Sequence, residues 1–296
     1  MILTFERGAG AGASGGSIWG KMKLGALALA VLVGVTGPGQ GAELLFASGF
    51  EGEVRLAPQV DDLVPIVGRD SETGFAWPID VLGARGSGLH LIAVDGGRAA
   101  GAALQRLRGH DGTMTRALYS YENYEARDDT QLPYEILDIR QGRRDLYVRF
   151  WIRLDRESLH QKDKWRTFFE WKTRGNGRGR GFRLISFIYT DGQGRPYWHF
   201  QGDRDPEHPI WEIDNFDIPV PEGKWFLNEF FWHWSEGRDG RALWRVNGRT
   251  VGDHRGPTTR NGQALDFIML GQIYGDANPK HQWVDDIEIW DGWPPG

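Results

Sequence analysis

Charged side chains suited to acid–base chemistry are concentrated in the segment WRTFFEWKTR, residues 165–174. Side chains of a β-strand alternate between two faces, so a strand here would place Glu170 and Lys172 on one face together with Arg166 and Arg174. Positive charge nearby favours the neutral form of a lysine amine, which makes Lys172 a candidate base. The alternative is an exposed ion pair between Glu170 and Lys172, worth less than about 1 kcal/mol.

A second candidate base is His199, in the segment YWHFQ. Alternation along a strand places Tyr197 and Gln201 on the same face as His199. Histidine changes its charge near neutral pH, and tyrosine and glutamine add an aromatic surface and hydrogen bonds. A single histidine among aromatic residues is equally compatible with a structural role. Two strands with polar, aromatic-bearing faces predict a groove for a sugar chain.

Paired carboxylates form a third constellation in WEIDNFD, which contains Glu212, Asp214 and Asp217. Two carboxyl groups about 5 Å apart are what retaining hydrolysis of a glycosidic bond requires. On a regular strand Asp217 faces away from Glu212, so this chemistry needs a bulge near Asn215. The sequence Ile-Pro-Val-Pro that follows predicts a loop here instead of a strand.

The composition limits which classes of protein can carry these residues. The chain of 296 residues has no cysteine, which excludes disulfides, thiol chemistry and cysteine-ligated zinc. Its net charge of -5 gives no basic field for nucleic acid, so we expect no nucleic-acid partner. The 14 tryptophans and 42 glycines favour strands and turns, which predicts an all-β protein that handles carbohydrate.

Residues 1–42 are predicted to be a signal peptide or N-terminal extension. Lys21 and Lys23 precede an apolar run over residues 24–35, which is shorter than the roughly 20 residues that a membrane-spanning helix needs. A membrane anchor is the alternative, and Met22 is an alternative start. We expect a secreted or periplasmic protein without a membrane partner after cleavage.

Residues 43–296 are predicted to form one β-domain. Short alternating or aromatic runs bounded by Gly, Pro, Asp and Asn favour an antiparallel sandwich or jelly roll. The predicted strands cover residues 89–94, 113–121, 146–154, 165–173, 182–189, 197–201, 225–234, 242–246, 267–274 and 283–290. Asp239-Gly240 and Asn247-Gly248 predict tight turns on either side of one of these strands.

The C-terminal half resembles a known family. The segments GKWFLNEFFWHWSEGRDGRALWRVNGRTVGDH, FIMLGQIYG and WVDDIEIWDG resemble the closing strands of the jelly rolls of bacterial polysaccharide lyases of the heparin-lyase and alginate-lyase type. The opening LLFASGFEGE is similar to the first strand of such secreted domains. The resemblance covers most of residues 44–293. It implies a concanavalin A-like β-jelly roll, a two-sheet antiparallel sandwich, and cleavage of a uronate-containing glycan by β-elimination.

A lyase of this kind neutralises the uronate carboxylate, removes the proton on C5 and protonates the departing O4. Alginate lyases of this fold carry Arg-x-Glu-Leu, Gln-Ile-His and Lys-x-Gly-x-Tyr motifs. The first corresponds to TRALYS and gives Arg116, without the glutamate. The second falls on FFEWK, with Glu170 for the glutamine and Lys172 for the histidine, and the third on MLGQIYG, which keeps Tyr274 without the lysine. These matches imply Lys172 or His199 as base and Tyr274 as acid.

The substrate expected from this resemblance is an anionic polysaccharide bound by a monomer, with no cofactor needed for catalysis. Arg178, Arg180 and Arg183 in GNGRGRGFR would attract a polyanion, although a solvated loop is the alternative. The groove would be lined by Arg116, Glu170, Lys172, His199, Gln272 and Tyr274, with Arg166, Arg174, Tyr197 and Gln201 also binding substrate. A glycoside hydrolase of laminarinase type that uses Glu212 and a non-catalytic, lectin-like domain stay open as alternatives.

A structural calcium site is predicted from Glu51, Asp285 and Asp286, at the two ends of the domain. Calcium binds carboxylate and carbonyl oxygens, and related jelly rolls often hold it. Alternation along the last strand makes the Asp285 side chain face inward, where it needs a partner. A backbone hydrogen bond would satisfy this carboxylate equally well.

Overall fold

Alternating apolar and polar side chains run through most of the chain, and in a computed structural model they form two antiparallel β-sheets that pack face to face. The structure describes residues 41–58, 63–78, 90–92, 100–123, 135–138, 144–173, 181–204, 209–260 and 265–295. Of the predicted signal segment, residues 1–42, the first 40 residues lie outside these ranges. Within them, no helix has the length and apolar character needed to cross a membrane.

Eighteen strands and one 3-10 helix occur in the described residues. The strands are β1 (Leu44–Ser48), β2 (Arg55–Leu56), β3 (Leu63–Arg69), β4 (Ala76–Trp77), β5 (His90–Ile92), β6 (Ala100–Arg108), β7 (Met114–Glu122), β8 (Glu135–Asp138), β9 (Asp145–Leu154), β10 (Trp165–Thr173), β11 (Arg183–Thr190), β12 (Pro196–Asp203), β13 (Pro209–Asn215), β14 (Trp225–His233), β15 (Arg241–Val246), β16 (Arg249–Arg255), β17 (Leu265–Tyr274) and β18 (Lys280–Trp290). The 3-10 helix, Glu157–His160, lies between β9 and β10.

The first sheet has the strand order β16-β15-β14-β9-β18-β7-β6, with β1 paired to β18. The second sheet has the order β13-β12-β11-β10-β17-β8-β5-β3-β2, with β4 paired to β3. All of these pairs are antiparallel. The predicted all-β, two-sheet antiparallel sandwich is therefore confirmed, and each of the ten predicted strands overlaps an observed one.

Aromatic side chains fill the space between the sheets. The rings of Phe169 in the second sheet and Phe230 in the first are stacked, with centroids 3.9 Å apart. Trp171 stacks on Trp232 in the same way at 5.2 Å, and all four residues are buried. Burying large aromatic side chains is a main source of stability for a sandwich. This core fixes which face of β10 points inward.

A β-bulge in β10 interrupts the expected alternation. Against β11 the register shifts between Thr167 and Phe169, which leaves Phe168 as an extra residue. The pairing with β17 is irregular at the same place, where residues 271–273 of β17 lie opposite Phe168 alone. As a result Phe168 and Phe169 both belong to the core, where alternation alone would have separated them. Alternation counted back from the residues after the bulge therefore assigns the residues before it to the wrong face of the sheet.

The prediction that Arg166 shares a face with Glu170 and Lys172 is wrong, because the bulge separates them. The Arg166 side chain is buried between the sheets and donates hydrogen bonds to Asp155 (3.1 Å) and Gln282 (2.9 Å). A guanidinium group held by buried acceptors cannot also bind a substrate. Arg166 instead ties β10 to β18.

A second buried charge pair joins β7 to β18. Lys280 Nζ lies 2.6 Å from Glu122 Oε2, and both side chains are fully buried. Lys280 also donates hydrogen bonds to the carbonyl oxygens of Gly275 (2.7 Å) and Ala277 (2.6 Å). Burial raises the pKa of Glu122 from 4.5 to about 7, although Lys280 opposes the shift. Lys280 thus offsets part of the cost of burying the Glu122 carboxylate.

We expect Lys280→Met to destabilise the fold by roughly 3–5 kcal/mol at neutral pH, because the buried Glu122 carboxylate loses its cation. The folded state raises the pKa of Glu122 above the unfolded value of 4.5, so the loss should be smaller at acid pH and grow as the pH rises through about 7. Urea unfolding at about pH 5 and pH 8 measures this difference. The double variant Glu122→Gln, Lys280→Met is the control and should lose the pH dependence. An equal loss at both pH values in Lys280→Met would contradict this account.

Candidate active site on the second sheet

The face of β10–β13 that points away from the core carries the polar side chains. Cross-strand pairing aligns these side chains in four rows, roughly 7 Å apart along the strands. Lys172, Arg183 and Asp203 form the first row; Glu170, Ile185, Gln201 and Glu212 the second; Thr167, Phe187, His199 and Asp214 the third; and Trp165, Tyr189 and Tyr197 the fourth. We call these four rows the polar face.

His199 lies in the middle of the polar face with both ring nitrogens engaged. Its Nδ1 is 2.7 Å from Asp214 Oδ1 and its Nε2 is 3.1 Å from Gln201 Oε1. The Gln201 amide nitrogen donates to Asp203 Oδ2 at 2.6 Å, so the Gln201 carbonyl oxygen must face His199. Both histidine nitrogens therefore lie beside oxygen atoms that can accept a hydrogen bond. The predicted grouping of His199 with Gln201 on one face is observed.

Tyr189 packs against His199 and was missed from the sequence. The two ring centroids are 5.0 Å apart, at an interplanar angle of 77°. Burial, together with Tyr197 and nearby carboxylates, raises the pKa of Tyr189 to about 12. This hydroxyl keeps its proton at ordinary pH and can donate it. Tyr189 ends a predicted strand, but only the pairing of β11 with β12 shows that it adjoins His199.

Lys172 takes part in an ion pair on the polar face. Its Nζ lies 2.8 Å from Glu170 Oε1, and Arg183 Nη1 approaches the same carboxylate at 3.3 Å. Arg183 also binds Asp203, with 2.7 Å between Nη2 and Oδ2. Glu170 and Asp203 are buried, so they are more than the exposed ion-pair partners that the sequence suggested. The cations at this end are arranged around buried carboxylates.

Tyr274 lies on β17 and pairs with Thr167, in the same row as His199. It is three strands from His199, or roughly 14 Å between backbones at ordinary strand spacing. The ring of Trp165 is its neighbour, with centroids 5.1 Å apart. The pairing of Tyr274 as acid with Lys172 or His199 as base stays a prediction, and Tyr189 is the tyrosine whose ring contacts His199.

Arg116 belongs to the other sheet, on β7. Its guanidinium group donates to the carbonyl oxygens of Gly52 (3.0 Å) and Val54 (2.6 Å). The prediction that Arg116 lines the groove is therefore wrong, because the side chain holds the segment after β1 in place. Arg174 and the side chain of Gln272 lie outside the described residues, and their predicted roles stay predictions.

The carboxylates of the third constellation lie on β13, an edge strand that the sequence did not predict. Glu212 and Asp214 both face His199, at 3.6 Å and 2.7 Å. Pairing with β12 is regular up to Asn215, so the bulge that hydrolysis requires is not found there. Asn215 Oδ1 accepts a hydrogen bond from the Asp217 backbone N–H at 3.1 Å, which places Asp217 in a turn beyond the strand. Asp214 thus positions a histidine instead of assisting Glu212.

The predicted calcium ligands lie near one another but already have protein partners. The Thr115 hydroxyl oxygen lies 3.0 Å from Glu51 Oε1 and 3.1 Å from Asp285 Oδ2, while Asp286 Oδ2 is 2.7 Å from His110 Nε2. Among the described residues, no group of three or more acidic or histidine side chains is arranged to hold a metal ion. Burial and the adjacent Asp286 raise the pKa of Asp285 to about 8. The calcium site stays a prediction.

A bound calcium ion would raise the melting temperature, because it binds the folded chain only. We expect a rise of several degrees in millimolar Ca²⁺ over EDTA, and its loss in Asp285→Asn. Differential scanning calorimetry in matched ionic strength measures both. Identical melting temperatures of the unmodified protein in Ca²⁺ and EDTA would remove the calcium prediction.

Three solved structures give this fold a context. No protein-family model matches the chain, and no curated protein matches its sequence. The alginate lyase Aly36B is 15% identical over 64% of this chain and 82% of its own, with a TM-score of 0.50. An endo-β-1,4-glucuronan lyase from Trichoderma reesei is 13% identical over 66% and 89%, with a TM-score of 0.47. The cellulose-induced protein Cip1 is 17% identical over 70% and 94%, with a TM-score of 0.48.

The likeness to Aly36B shows that this chain has the β-jelly-roll fold of a polysaccharide lyase. At this level of identity the likeness concerns the fold alone. The reaction has to be argued from the side chains of the polar face.

Proposed function

We propose that this protein is a polysaccharide lyase that cleaves a uronate-containing glycan by β-elimination, with His199 as base and Tyr189 as acid. The observation that carries the proposal is the contact between these two rings on the polar face, at 5.0 Å. One group can accept a proton and the other can donate one, as elimination requires. The jelly-roll fold shared with Aly36B supports the proposal without deciding it.

In this mechanism His199 removes the proton from C5 of the uronate. The electron pair of the C5–H bond forms the C4=C5 double bond, and the C4–O4 bond breaks. Tyr189 gives its proton to the departing O4. Asp214, 2.7 Å from Nδ1, keeps a proton on that nitrogen and leaves Nε2 to accept the substrate proton.

The order of side chains along the strands supports one orientation of the substrate. The cations Lys172 and Arg183 occupy the first row, Gln201 the second, His199 the third and Tyr189 the fourth. A uronate carboxylate placed near Gln201 and the cations would bring C5 over His199 and O4 towards Tyr189. Hydrogen bonds and positive charge near the carboxylate stabilise the negative charge that develops when C5 loses its proton.

The hydrolase alternative has less support. It requires a second carboxyl group close to Glu212. The carboxylate beside Glu212 is Asp214, which is engaged with His199, while Asp217 lies in the turn after β13. A binding domain without activity is the other alternative, and the activity measurements below test it.

We also propose that residues 1–42 direct export. N-terminal sequencing of the protein recovered from culture medium or periplasm tests this proposal.

His199→Ala and Tyr189→Phe should each lower the rate of elimination at least about a hundredfold, since each removes a proton-transfer group. The measurement is the ultraviolet absorbance of unsaturated uronate on alginate, glucuronan, pectate, heparin and hyaluronan, with reducing ends counted in parallel. Asp214→Asn should lower kcat, because it disturbs the orientation of the histidine.

Matched controls lie on the first sheet. His110 pairs with Asp286 at 2.7 Å, so His110→Ala removes a similar histidine–aspartate pair away from the polar face. Tyr121→Phe on β7 is the corresponding tyrosine control. Both should keep the original rate. If Tyr274→Phe abolished elimination and Tyr189→Phe did not, the acid role would return to Tyr274; reducing ends without absorbance would move the reaction to hydrolysis.

The pH dependence of elimination should have one limb. The rate should fall at acid pH, because a ring that is protonated on both nitrogens cannot accept the C5 proton. Because burial raises the pKa of Tyr189 to about 12, the acid should remain protonated and the rate should stay level between about pH 8 and 10. Initial rates in buffers of constant ionic strength measure the profile. A fall in rate above about pH 8 would rule out Tyr189 as the acid.

A further inference from the structure

Aromatic side chains continue the polar face beyond Tyr189. Tyr189 stacks on Tyr197 with ring centroids 5.9 Å apart, and Tyr197 stacks on Phe216 at 4.4 Å, each at an interplanar angle of 24°. Phe216 is 68% exposed, an unusual position for so large an apolar side chain. We call Tyr189, Tyr197 and Phe216 the aromatic cluster. It lies just past the group that would protonate the departing oxygen.

The charges around the aromatic cluster are mainly negative. Burial and the carboxylates of Asp214 and Asp191 raise the pKa of Tyr197, and Tyr189 is influenced by Asp214 and Glu212 as well. The side chains of Glu212 and Asp214 are about half exposed, at 52% and 48%. They share His199 as their partner, so together they leave negative charge at this end of the polar face.

The cations at this end are already engaged. Arg195 Nη2 lies 2.8 Å from Asp191 Oδ2, and Lys164 Nζ lies 3.4 Å from Asp276 Oδ2. In the first row Lys172 and Arg183 are engaged in the same way, with the buried carboxylates of Glu170 and Asp203. The two ends of the polar face therefore differ in their carboxylates, which are buried beside cations in the first row and about half exposed at Glu212 and Asp214.

We infer that the aromatic cluster binds an uncharged sugar on the leaving side of the cleaved bond, so that the substrate is a mixed glycan whose uronate carries a neutral pyranose on O4. The inference rests on the proposed function, which places O4 beside Tyr189. The C–H face of a pyranose stacks on aromatic rings, and exposed carboxylates accept hydrogen bonds from its hydroxyl groups. A second uronate here would bring its carboxylate towards the half-exposed Asp214, and this repulsion disfavours a homopolymer of uronates.

Two matched groups of polymers test the inference. In hyaluronan and deacylated gellan a neutral sugar is linked to O4 of glucuronate, whereas in glucuronan and alginate that sugar is itself a uronate. We expect kcat/KM for elimination, followed by ultraviolet absorbance, to be at least about tenfold higher on a polymer of the first group. Phe216→Ala should lower kcat/KM on that polymer about fivefold to tenfold and leave the slower cleavage of polyuronates nearly unchanged. Met114→Ala, at a 56% exposed position on β7, is the control and should change neither rate.

The outcomes separate this inference from the proposed function. Equal or faster cleavage of polyuronates would overturn the inference and leave the lyase mechanism intact. An unchanged rate for Phe216→Ala on the preferred mixed glycan would overturn the assignment of the aromatic cluster. If no polymer of either group yields unsaturated ends, the lyase proposal itself fails and the inference fails with it.

Discussion

The extra residue in β10 determines which side chains of this strand face the core and which face outward. A regular strand offers alternate side chains to each face, yet Arg166, Phe168, Phe169 and Trp171 all lie inside the sandwich. The bulge at Phe168 makes this possible, because it moves the core-facing positions by one residue. The pairing with β11 follows the shift, so the rows of the polar face are aligned from this point.

The polar face depends on a chain of charged and polar contacts across three strands. Arg183 is held by Glu170 and Asp203, Asp203 fixes the amide of Gln201, and the Gln201 oxygen faces His199. Buried charges are tolerated only when they are paired, so these contacts constrain one another. The chemistry available to His199 is consequently set by the side chains around it. This is why the histidine, and not the lysine that stands out in the sequence, is placed at the centre of the proposed mechanism.

Much of the fold could be predicted because strand patterns are local. All ten predicted strands overlap observed ones, and Asn247 and Gly248 form the expected turn with φ values of 47° and 74°. The same reasoning missed β13, where the following prolines suggested a loop. The motif match for Arg116 failed for a different reason: a short motif states which residues are present, but not which sheet they occupy.

The sequence by itself determined the all-β class, the two-sheet sandwich and the shared face of Tyr197, His199 and Gln201, because alternation with a period of two depends only on neighbouring residues. The tertiary structure decided that Arg166 is buried and that Tyr189 packs against His199. These features depend on a bulge and on pairing between strands that are distant along the chain. Such pairing is selected by the packing of the whole core, which no local pattern records.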